Sequence, residues 1–302
     1  MVVSPSSDLL ANQRETIAAV LAAATAELAG ASRLTGSIES TQPSSAALEA
    51  QILIAHALGQ SRAWLWAHPE ALLTPVVAAR FSALLARRLR GEPVAYLTGQ
   101  REFWSLALLV SPAVLVPRPE TELLVERALA VLSAPTAEVA ELGTGSGAVA
   151  LALAKERPGW NLVATDISSP ALAVAAGNAA RLHLPNVRFL AGAWFQPLSG
   201  RRFDLIVSNP PYIGESDPAL LDPALMHEPR MALVSGASGL EGLTQIIVAA
   251  ADHLAVNGWL ILEHGSTQAR QVADLLVARG LRHVRCHRDL AGAPRVSEAQ
   301  RA

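Results

Sequence analysis

Cysteine is nearly absent from this sequence, because Cys286 is the single cysteine among 302 residues. One thiol cannot close an internal disulfide, and it cannot build a zinc site that needs paired cysteines. The composition therefore excludes a disulfide-stabilised secreted fold, and we expect the chain to work in the reducing environment of the cytoplasm.

Long apolar runs and an excess of one sign of charge are also missing. The longest stretch without a charged residue, residues 103–117, has about 15 residues and two prolines, whereas a membrane helix needs about 18 or more. The polar start of the chain lacks the basic and apolar segments of a signal peptide. Basic residues number 24 and acidic residues 26, so no global basic field attracts nucleic acid. We expect no membrane partner and no direct nucleic-acid binding.

Apolar residues are abundant, at 51% of the chain against 17% charged residues, which excludes a disordered protein. At about 100 to 200 residues per domain, the length fits two domains. Residues 1–90 carry alanine and leucine at helical spacing, with a loop at residues 30–45 and a helix start at Pro75. They predict a helical substrate-recognition domain that holds no chemical motif, with residues 1–12 disordered.

A change of pattern follows at residues 91–117, which predict a β-hairpin linker. Its two apolar segments are residues 95–97 and 103–110. Residues 118–302 then alternate short apolar strands with helices, which predicts an α/β fold with a mostly parallel sheet and helices on both faces. The predicted strands end at Leu142, Thr165, Leu190, Ser208 and Glu263. Ligands bind at the carboxyl ends of such strands, so we expect the functional residues at these positions.

A glycine-rich turn follows the first of these strands, with the sequence Glu141-Leu142-Gly143-Thr144-Gly145-Ser146-Gly147. Glycines permit a tight turn and a close approach of a ligand to the backbone amides, and the helix N-terminus that follows favours an anionic group. The spacing differs from the Gly-x-Gly-x-x-Gly of dinucleotide binding. With an acidic residue two positions before the first glycine, the turn resembles the cofactor loop of class I S-adenosylmethionine methyltransferases.

Asp166 ends the next strand, 19 residues after Gly147. A carboxylate at this place can accept two hydrogen bonds from ribose hydroxyls. The alternative is that Asp166 caps the following helix, but Ser168 and Ser169 can do that instead. The glycine turn beside it favours ribose binding.

The order Asn209-Pro210-Pro211-Tyr212 directly follows the strand that ends at Ser208. Two adjacent prolines make a rigid loop without backbone donors at those positions. The Asn209 side-chain oxygen and the Pro210 carbonyl then become fixed acceptors that can hold both hydrogens of a planar NH₂ group, while Tyr212 stacks on it. An ordinary proline-rich turn would not explain why Asn and Tyr flank both prolines at a strand end.

This motif occurs in enzymes that methylate the planar nitrogens of adenine, guanine and the glutamine amide, and the longer context narrows the choice. The chain is similar to the release-factor glutamine N(5)-methyltransferases, the HemK/PrmC family, over about residues 46–296. The motifs that carry the resemblance are GEPVAYLTG at residues 91–99, REFW at 101–104, PRPETE at 117–122, EPR at 228–230, EHG at 263–265 and DLAG at 289–292.

The resemblance implies a Rossmann-like class I methyltransferase domain preceded by a small all-α bundle. It also implies S-adenosylmethionine as methyl donor, S-adenosylhomocysteine as product, no metal, and class 1 peptide chain release factors as protein substrate. The glutamine of their Gly-Gly-Gln motif would be held by Asn209, Pro210, Pro211 and Tyr212, of which Asn209, Pro210 and Tyr212 would be catalytic. The implied cofactor contacts are Glu141, Gly143, Thr144, Gly145, Ser146, Gly147, Asp166, Trp194 and Asn209, with Phe103, Arg118 and Glu120 lining the cleft.

Some positions depart from the family pattern. Ala193 stands where the family usually has Asp before the tryptophan, Ser238 stands where Asp is common, and the tail after Ser297 lacks the usual Gly-Arg. Two alternatives stay open. One is a nucleic-acid N(6)-adenine or guanine methyltransferase, disfavoured by the net charge and by the missing basic recognition domain. The other is a binding protein that kept the fold without the activity.

Overall fold

The chain forms two compact units in the computed structural model, which describes residues 15–35 and 43–302. The first unit holds the described residues up to Thr98 together with Leu221–His227. The second holds Gly99–Leu220 and Glu228–Ala302. The expected disorder of residues 1–12 lies outside the described residues. No helix in the described ranges is both long enough and apolar enough to cross a membrane.

The described part of the first unit contains five α-helices, and its core forms where their apolar faces meet. In the first helix, Ile17, Val20, Ala24 and Leu28 are buried at the three- and four-residue spacing of one helix face. They pack in one cluster with residues such as Leu53 and Phe81. The helices are α1 (Ile17–Thr35), α2 (Pro43–Leu58), α3 (Arg62–Ala67), α4 (Pro75–Leu89) and α5 (Val94–Thr98).

Two details of the predicted linker and loop are wrong. Part of the expected loop at residues 30–45 is helical, because α1 continues to Thr35 and α2 begins at Pro43. A single glycine such as Gly30 costs a helix only about 1 kcal/mol, and the buried face holds the helix together. Residues 95–97 form a helical turn in α5 instead of a strand, because the carbonyl of Pro93 accepts from the amides of Tyr96 and Leu97.

A two-stranded antiparallel hairpin opens the second unit, with β1 at Gln100–Phe103 and β2 at Leu106–Leu109. The seven remaining strands make one sheet in the order β5-β4-β3-β6-β7-β9-β8. The first five in that order run parallel, and the last two pair antiparallel. The strands are β3 (Ala137–Leu142), β4 (Trp160–Asp166), β5 (Val187–Ala191), β6 (Phe203–Ser208), β7 (Leu254–Glu263), β8 (Arg282–Arg288) and β9 (Pro294–Gln300).

Helices bury both faces of this sheet, as the alternating pattern predicts. One apolar cluster contains residues of α6 (Glu122–Val131), α7 (Ala148–Glu156) and α8 (Ser169–Arg181). A second cluster contains residues of α9 (Glu241–His253) and α10 (Ala269–Ala278). The predicted α/β class and the mostly parallel sheet are therefore confirmed.

The site-bearing segments leave the sheet at one edge. Leu142 of β3 pairs with Thr165 of β4 on one side and with Ser208 of β6 on the other. Strand order reverses at β3, since β4 and β5 lie to one side and β6 and β7 to the other. Crevices at such a reversal are where open α/β sheets bind ligands. The glycine turn, Asp166 and Asn209 directly follow these three paired residues, at the carboxyl ends of β3, β4 and β6.

Candidate active site

A cavity of about 330 Å³ lies at this carboxyl edge. It is lined mainly by apolar atoms, with a few converging polar groups, which is the usual composition of a small-molecule site. Sequence-predicted residues that line it are Arg118, Glu141, Gly143, Thr144, Gly145, Ser146, Asp166, Trp194, Asn209 and Pro211. The fold therefore gathers most of the predicted site around one space.

The glycine turn approaches the cavity through its backbone. Gly145 has φ +55°, in the left-handed region that favours glycine, and a Cβ added there would meet nothing within 4 Å. The turn closes where the amide of Gly147 donates to the carbonyl of Thr144 at 2.8 Å. A Cβ added at Gly147 would meet Leu151 and Ala175 at 3.0 to 3.3 Å, so this glycine permits close helix packing, and it does not line the cavity.

Glu141 is an acid buried beneath the glycine turn, with 4% of its surface exposed. Its Oε2 accepts from the Thr144 hydroxyl at 2.5 Å and from the Ala150 amide at 3.1 Å. Burial raises the pKa of Glu141 to about 8, although both hydrogen bonds oppose the rise. Glu141 thus ties the turn to the start of α7 and also presents an acid to the cavity.

Asp166 joins the second strand end to the glycine turn. Its Oδ2 accepts from the Gly145 amide at 2.9 Å, and its Oδ1 accepts from the Ser168 amide at 2.8 Å. The helix cap is Ser168, whose Oγ accepts from the Ala171 amide at 3.2 Å. The capping alternative for Asp166 is therefore wrong. Each carboxylate oxygen has a second lone pair, which leaves Asp166 able to accept from a ligand.

Trp194 lines the cavity from a left-handed backbone conformation, with φ +46°. Such a conformation costs about 1 to 3 kcal/mol in a non-glycine residue, so neighbouring contacts must hold it. Thr165 Oγ1 donates to the Trp194 carbonyl at 3.0 Å, and Trp194 Nε1 donates to Gln245 Oε1 at 2.9 Å. Gln245 also lines the cavity, and no sequence motif marks it. Ala193 contributes only a small side chain here.

The Asn209–Tyr212 loop begins at the end of β6. The Asn209 side chain donates from Nδ2 to the hydroxyl of Thr121 at 3.2 Å, which leaves Oδ1 free to accept. Within the described residues, neither this Oδ1 atom nor the Pro210 carbonyl accepts a hydrogen bond. Both acceptors that the sequence predicts are therefore present without competing partners. Thr121 lies in the PRPETE motif, but sequence spacing gave no sign of its contact with Asn209.

Tyr212 is anchored at both its backbone and its side chain. Gln268 Nε2 donates to the Tyr212 carbonyl at 2.9 Å, and the Tyr212 hydroxyl donates to Glu263 Oε1 at 3.3 Å. Burial, more than the nearby Glu263 charge, raises the pKa of Tyr212, so the phenol keeps its proton. Neither Tyr212 nor Pro210 lines the 330 Å³ cavity. The loop borders the cavity through Asn209 and Pro211.

Of the three residues predicted to line the cleft, Arg118 does so, and Phe103 and Glu120 do not. Arg118 lines the cavity and pairs with the buried Glu228, which also accepts from the Val116 amide at 2.9 Å. Phe103 is 1% exposed in the apolar core, so its predicted place in the cleft is wrong. Glu120 is exposed and does not line the cavity. The sequence shows that Phe103 is apolar, but it does not show whether the side chain packs in the core or lines the cleft.

The sequence of the chain is similar to proteins of one known family. Residues 19–99 match the family model for the PrmC N-terminal domain, and residues 119–238 match the model for the Methyltransferase small domain. A release factor glutamine methyltransferase from Pseudomonas aeruginosa is 49% identical over 256 residues, covering 85% of this chain and 93% of that protein. The chain belongs to the release factor glutamine methyltransferase family. The family predicted from the motifs is thus confirmed, and the chain is an enzyme.

Other relatives of the release factor glutamine methyltransferase family agree. The protein of that name from Salmonella typhimurium is 48% identical, over 82% of this chain and 90% of that protein. The one from Escherichia coli strain K12 is 44% identical over the same shares.

Solved structures show the same fold at low identity. A methyltransferase from Pyrococcus furiosus gives a TM-score of 0.51 at 21% identity, over 72% of this chain and 98% of that one. The hMettl16 catalytic domain, solved in complex with the MAT2A 3'UTR hairpin 6, gives a TM-score of 0.55 at 15% identity, over 72% of this chain and 81% of that one. These likenesses extend to the fold alone.

Proposed function

We propose that this enzyme transfers a methyl group from S-adenosylmethionine to the side-chain amide nitrogen of the glutamine in the Gly-Gly-Gln motif of class 1 peptide chain release factors. The observation that carries the proposal is the pair of uncommitted acceptors, Asn209 Oδ1 and the Pro210 carbonyl, beside a cavity that a glycine turn and two acids line. The names of the relatives support the release factor and the glutamine as substrate.

The residues around the cavity fit S-adenosylmethionine. Gly145 leaves space for a ligand to approach the backbone, and Asp166 offers lone pairs to the ribose hydroxyls. Glu141 would face the positively charged methionine part, and Trp194 would lie against the adenine. Gly143, Thr144, Ser146 and Asn209 would complete the contacts from the same cavity wall. Metal ions have no part in this proposal.

Orientation of the amide is the main catalytic task of the protein. An amide nitrogen is a poor nucleophile because its lone pair is delocalised into the carbonyl group. S-adenosylmethionine would supply an electrophilic methyl group and leave as S-adenosylhomocysteine, while one proton of the amide nitrogen would be released to solvent. Asn209 and Pro210 would accept both hydrogens of the glutamine NH₂ group and so fix the direction of its nitrogen, which supplies most of the rate by positioning. The same two acceptors would stabilise the positive charge that develops on that nitrogen.

Tyr212 would act on the face of the glutamine amide. Its ring can stack on the planar group, while its hydroxyl is held by Glu263. The raised pKa of Tyr212 keeps the phenol neutral, so it does not serve as a general base at neutral pH.

The helical first unit would recognise the release factor and do no chemistry, consistent with the domain model that matches residues 19–99. In this proposal, residues 1–90 select the protein substrate, residues 91–117 link the domains, and residues 118–302 carry out the transfer. The absence of a strongly basic charge balance favours a protein substrate over nucleic acid.

The experiment that tests the proposal uses the full-length chain, radiolabelled S-adenosylmethionine and three acceptors: a class 1 release factor, DNA and ribosomal RNA. We expect label only in the release factor, and mass spectrometry of its peptides should place the added methyl on the Gly-Gly-Gln glutamine. A release factor in which that glutamine is replaced by alanine is the matched control. Label in nucleic acid, or label retained by the control factor, would contradict the proposal.

A further inference from the structure

The Asn209–Tyr212 loop is held at both ends by side chains from two other parts of the chain. At its start, Asn209 Nδ2 meets the hydroxyl of Thr121, which lies in the 3₁₀ turn Pro119–Thr121 before α6. At its end, the Tyr212 hydroxyl meets Glu263, the last residue of β7. The two anchors also lie near each other, since the Thr121 hydroxyl lowers the pKa of the Glu263 carboxyl group. Polar side chains from two other segments therefore hold both ends of the loop.

The direction of the hydrogen bonds follows from the chemistry of a hydroxyl group. The hydroxyl oxygen of Thr121 accepts from Asn209 Nδ2 at 3.2 Å, so the nitrogen of the Asn209 amide faces Thr121. The one hydrogen of the hydroxyl group remains to be donated, and the Glu263 carboxyl group is a neighbouring acceptor for it. The amide oxygen is turned the other way, and this is the atom that the substrate NH₂ group needs.

Glu263 occupies this place because of the sheet register. Leu262 of β7 pairs with Ser208 of β6, so Glu263 and Asn209 are the next residues along two adjacent parallel strands. The side chain of Glu263 is buried, with 1% exposed, and within the described residues its Oε2 has no hydrogen-bond partner. Burial raises the pKa of Glu263 to about 7, while Thr121, Arg295 and Tyr212 lower it. A buried acid of this kind costs stability, which calls for a functional reason.

We propose that Thr121 and Glu263 are positioning residues for methyl transfer, which fix the Asn209 amide with its oxygen toward the substrate and hold the Tyr212 ring in place. This inference rests on the proposed function. Thr121 acts on the substrate only through Asn209, and Glu263 acts through Thr121 and Tyr212. Without the hydroxyl of Thr121, the Asn209 nitrogen loses its acceptor and the amide is free to rotate. A rotated amide presents its NH₂ group to the NH₂ group of the substrate, and two donors cannot form a hydrogen bond.

The test compares Thr121→Val, Thr121→Ser and Glu263→Gln in the full-length chain. Thr121→Val keeps the shape and removes the hydroxyl, and we expect its single-turnover methylation rate to fall about 10- to 100-fold, the scale of a misplaced reacting group. Thr121→Ser keeps the hydroxyl and should recover most of the rate. Glu263→Gln keeps one acceptor oxygen and should slow the rate less than Thr121→Val does.

Three further readouts separate positioning from a general structural effect. Cofactor affinity by calorimetry and the KM for the release factor should stay within about threefold of the wild type. Thr121 lines the cavity, but its side chain bonds to Asn209 and that of Glu263 bonds to Tyr212, not to the glycine turn or Asp166. The double variant Thr121→Val, Glu263→Gln should slow the rate by less than the product of the two single effects, since coupled groups are not additive. Thr98→Val removes a hydroxyl that bonds to the Val94 carbonyl at 3.0 Å and is the control with an unchanged rate.

The outcomes are distinct from a failure of the proposed function. If the wild type does not methylate the release factor, the proposed function is wrong, and the positioning role in that transfer is overturned with it. If the wild type is active and Thr121→Val matches it, the positioning role is wrong. It is equally wrong if Thr121→Ser is as slow as Thr121→Val while urea unfolding shows both to be folded, or if the two single effects simply add.

Discussion

The two sides of the cleft are held together in different ways. On the cofactor side, residues 141–166, the fixing hydrogen bonds join residues that are closer in sequence. Glu141 and Thr144 are three residues apart, and Gly145 and Asp166 are 21 residues apart. On the amide side, the loop of residues 209–212 is fixed by remote residues. Asn209 meets Thr121 across 88 residues, and Tyr212 meets Glu263 across 51.

This difference separates two kinds of failure. A change on the cofactor side disturbs a turn whose hydrogen bonds lie within residues 141–178, so we expect it to act on cofactor affinity. A change on the amide side loosens a loop that several distant elements hold, so we expect it to act on the rate of the loaded enzyme. Variants that affected both quantities equally would show that the two sides work as one unit.

The largest effect is expected for Asn209→Ala. It removes one of two preorganised acceptors, which costs about 10²- to 10³-fold in rate, or about 3 to 4 kcal/mol. Asn209→Asp keeps an oxygen of similar shape and adds a charge that attracts the sulfonium in ground state and transition state alike, so it should retain more activity than Ala and less than Asn. The measurement is single-turnover methyl transfer with saturating cofactor and release factor.

The control for Asn209 is Asn161→Ala, which removes an exposed amide that bonds to Glu138 at 2.8 Å, away from the cleft. Its rate should equal that of the wild type. A wild-type rate in Asn209→Ala would overturn the proposed role of its side chain, even though family membership would stand.

Asp166→Ala is expected to act mainly on cofactor affinity. Losing the charge-assisted hydrogen bonds of this carboxylate should weaken binding by about 2 to 4 kcal/mol, measured by calorimetry. Asp166→Asn keeps one acceptor and should lose less, and Asp274→Ala, at an exposed carboxylate, is the control. If Asp166→Ala leaves the cofactor affinity unchanged, Asp166 does not bind the cofactor, and its role is to hold the backbone amides of Gly145 and Ser168.

Site residues beside a strand end were predictable from the sequence, and residues marked only by remote contacts were not. The glycine turn, Asp166 and the Asn209 loop were predictable because each sits next to a strand end that an apolar run marks, and parallel strand ends meet at one edge. Thr121 and Gln245 were not assigned roles, because their contacts depend on where distant elements meet, and no local periodicity encodes that. Thr121 lay within a quoted motif, but the motif did not reveal its partner.

Local errors had a related cause. Residues 95–97 are a short apolar run, and such a run does not distinguish a buried strand from a buried helical turn. All three side chains are buried, so no alternation of exposed and buried positions was there to decide. Phe103 was placed in the cleft for a similar reason, since a motif shows that an aromatic residue matters without showing which apolar surface it contacts.

Glu141→Gln sharpens the comparison through pH. The folded protein raises the pKa of Glu141 to about 8, mainly by burial and against Thr144 and Ala150, with Asp166 as the facing charge that raises it further. The folded state therefore binds the proton more tightly than the unfolded state, so this contribution to stability is complete below the unfolded pKa and is lost as pH rises through about 8. The free energy of unfolding should therefore fall by about 2 to 3 kcal/mol between pH 5 and pH 7 because of Glu141.

Urea unfolding of the wild type and Glu141→Gln at pH 5 and pH 7 measures this. The free energy of unfolding of the wild type should fall relative to the variant over that interval, since glutamine does not titrate. Parallel curves for the two proteins would show that Glu141 titrates normally in the fold.

The last comparison tests the anchoring of Tyr212 without replacing a polar side chain. Gly239 has φ +79°, and a Cβ added there would lie 2.3 Å from the Tyr212 carbonyl oxygen and 3.0 Å from Gln268 Nε2. Gly280 has φ +82° with nothing within 4 Å of such a Cβ. Gly239→Ala and Gly280→Ala therefore share the cost of a left-handed backbone, about 1 to 2 kcal/mol, and differ in the contact with Tyr212.

The difference between the two alanine variants isolates that contact. Gly239→Ala should lose about 1 to 3 kcal/mol more of the free energy of unfolding than Gly280→Ala, because the added methyl displaces the Tyr212 backbone. It should also slow single-turnover methylation, while cofactor affinity stays at the level of Gly280→Ala. The reason is that the displaced carbonyl belongs to the amide side, whose loop moves without the glycine turn. Equal rates in the two folded variants would mean that the loop tolerates displacement at Tyr212, and that its remote anchors matter less than the local hydrogen bonds of the cofactor side.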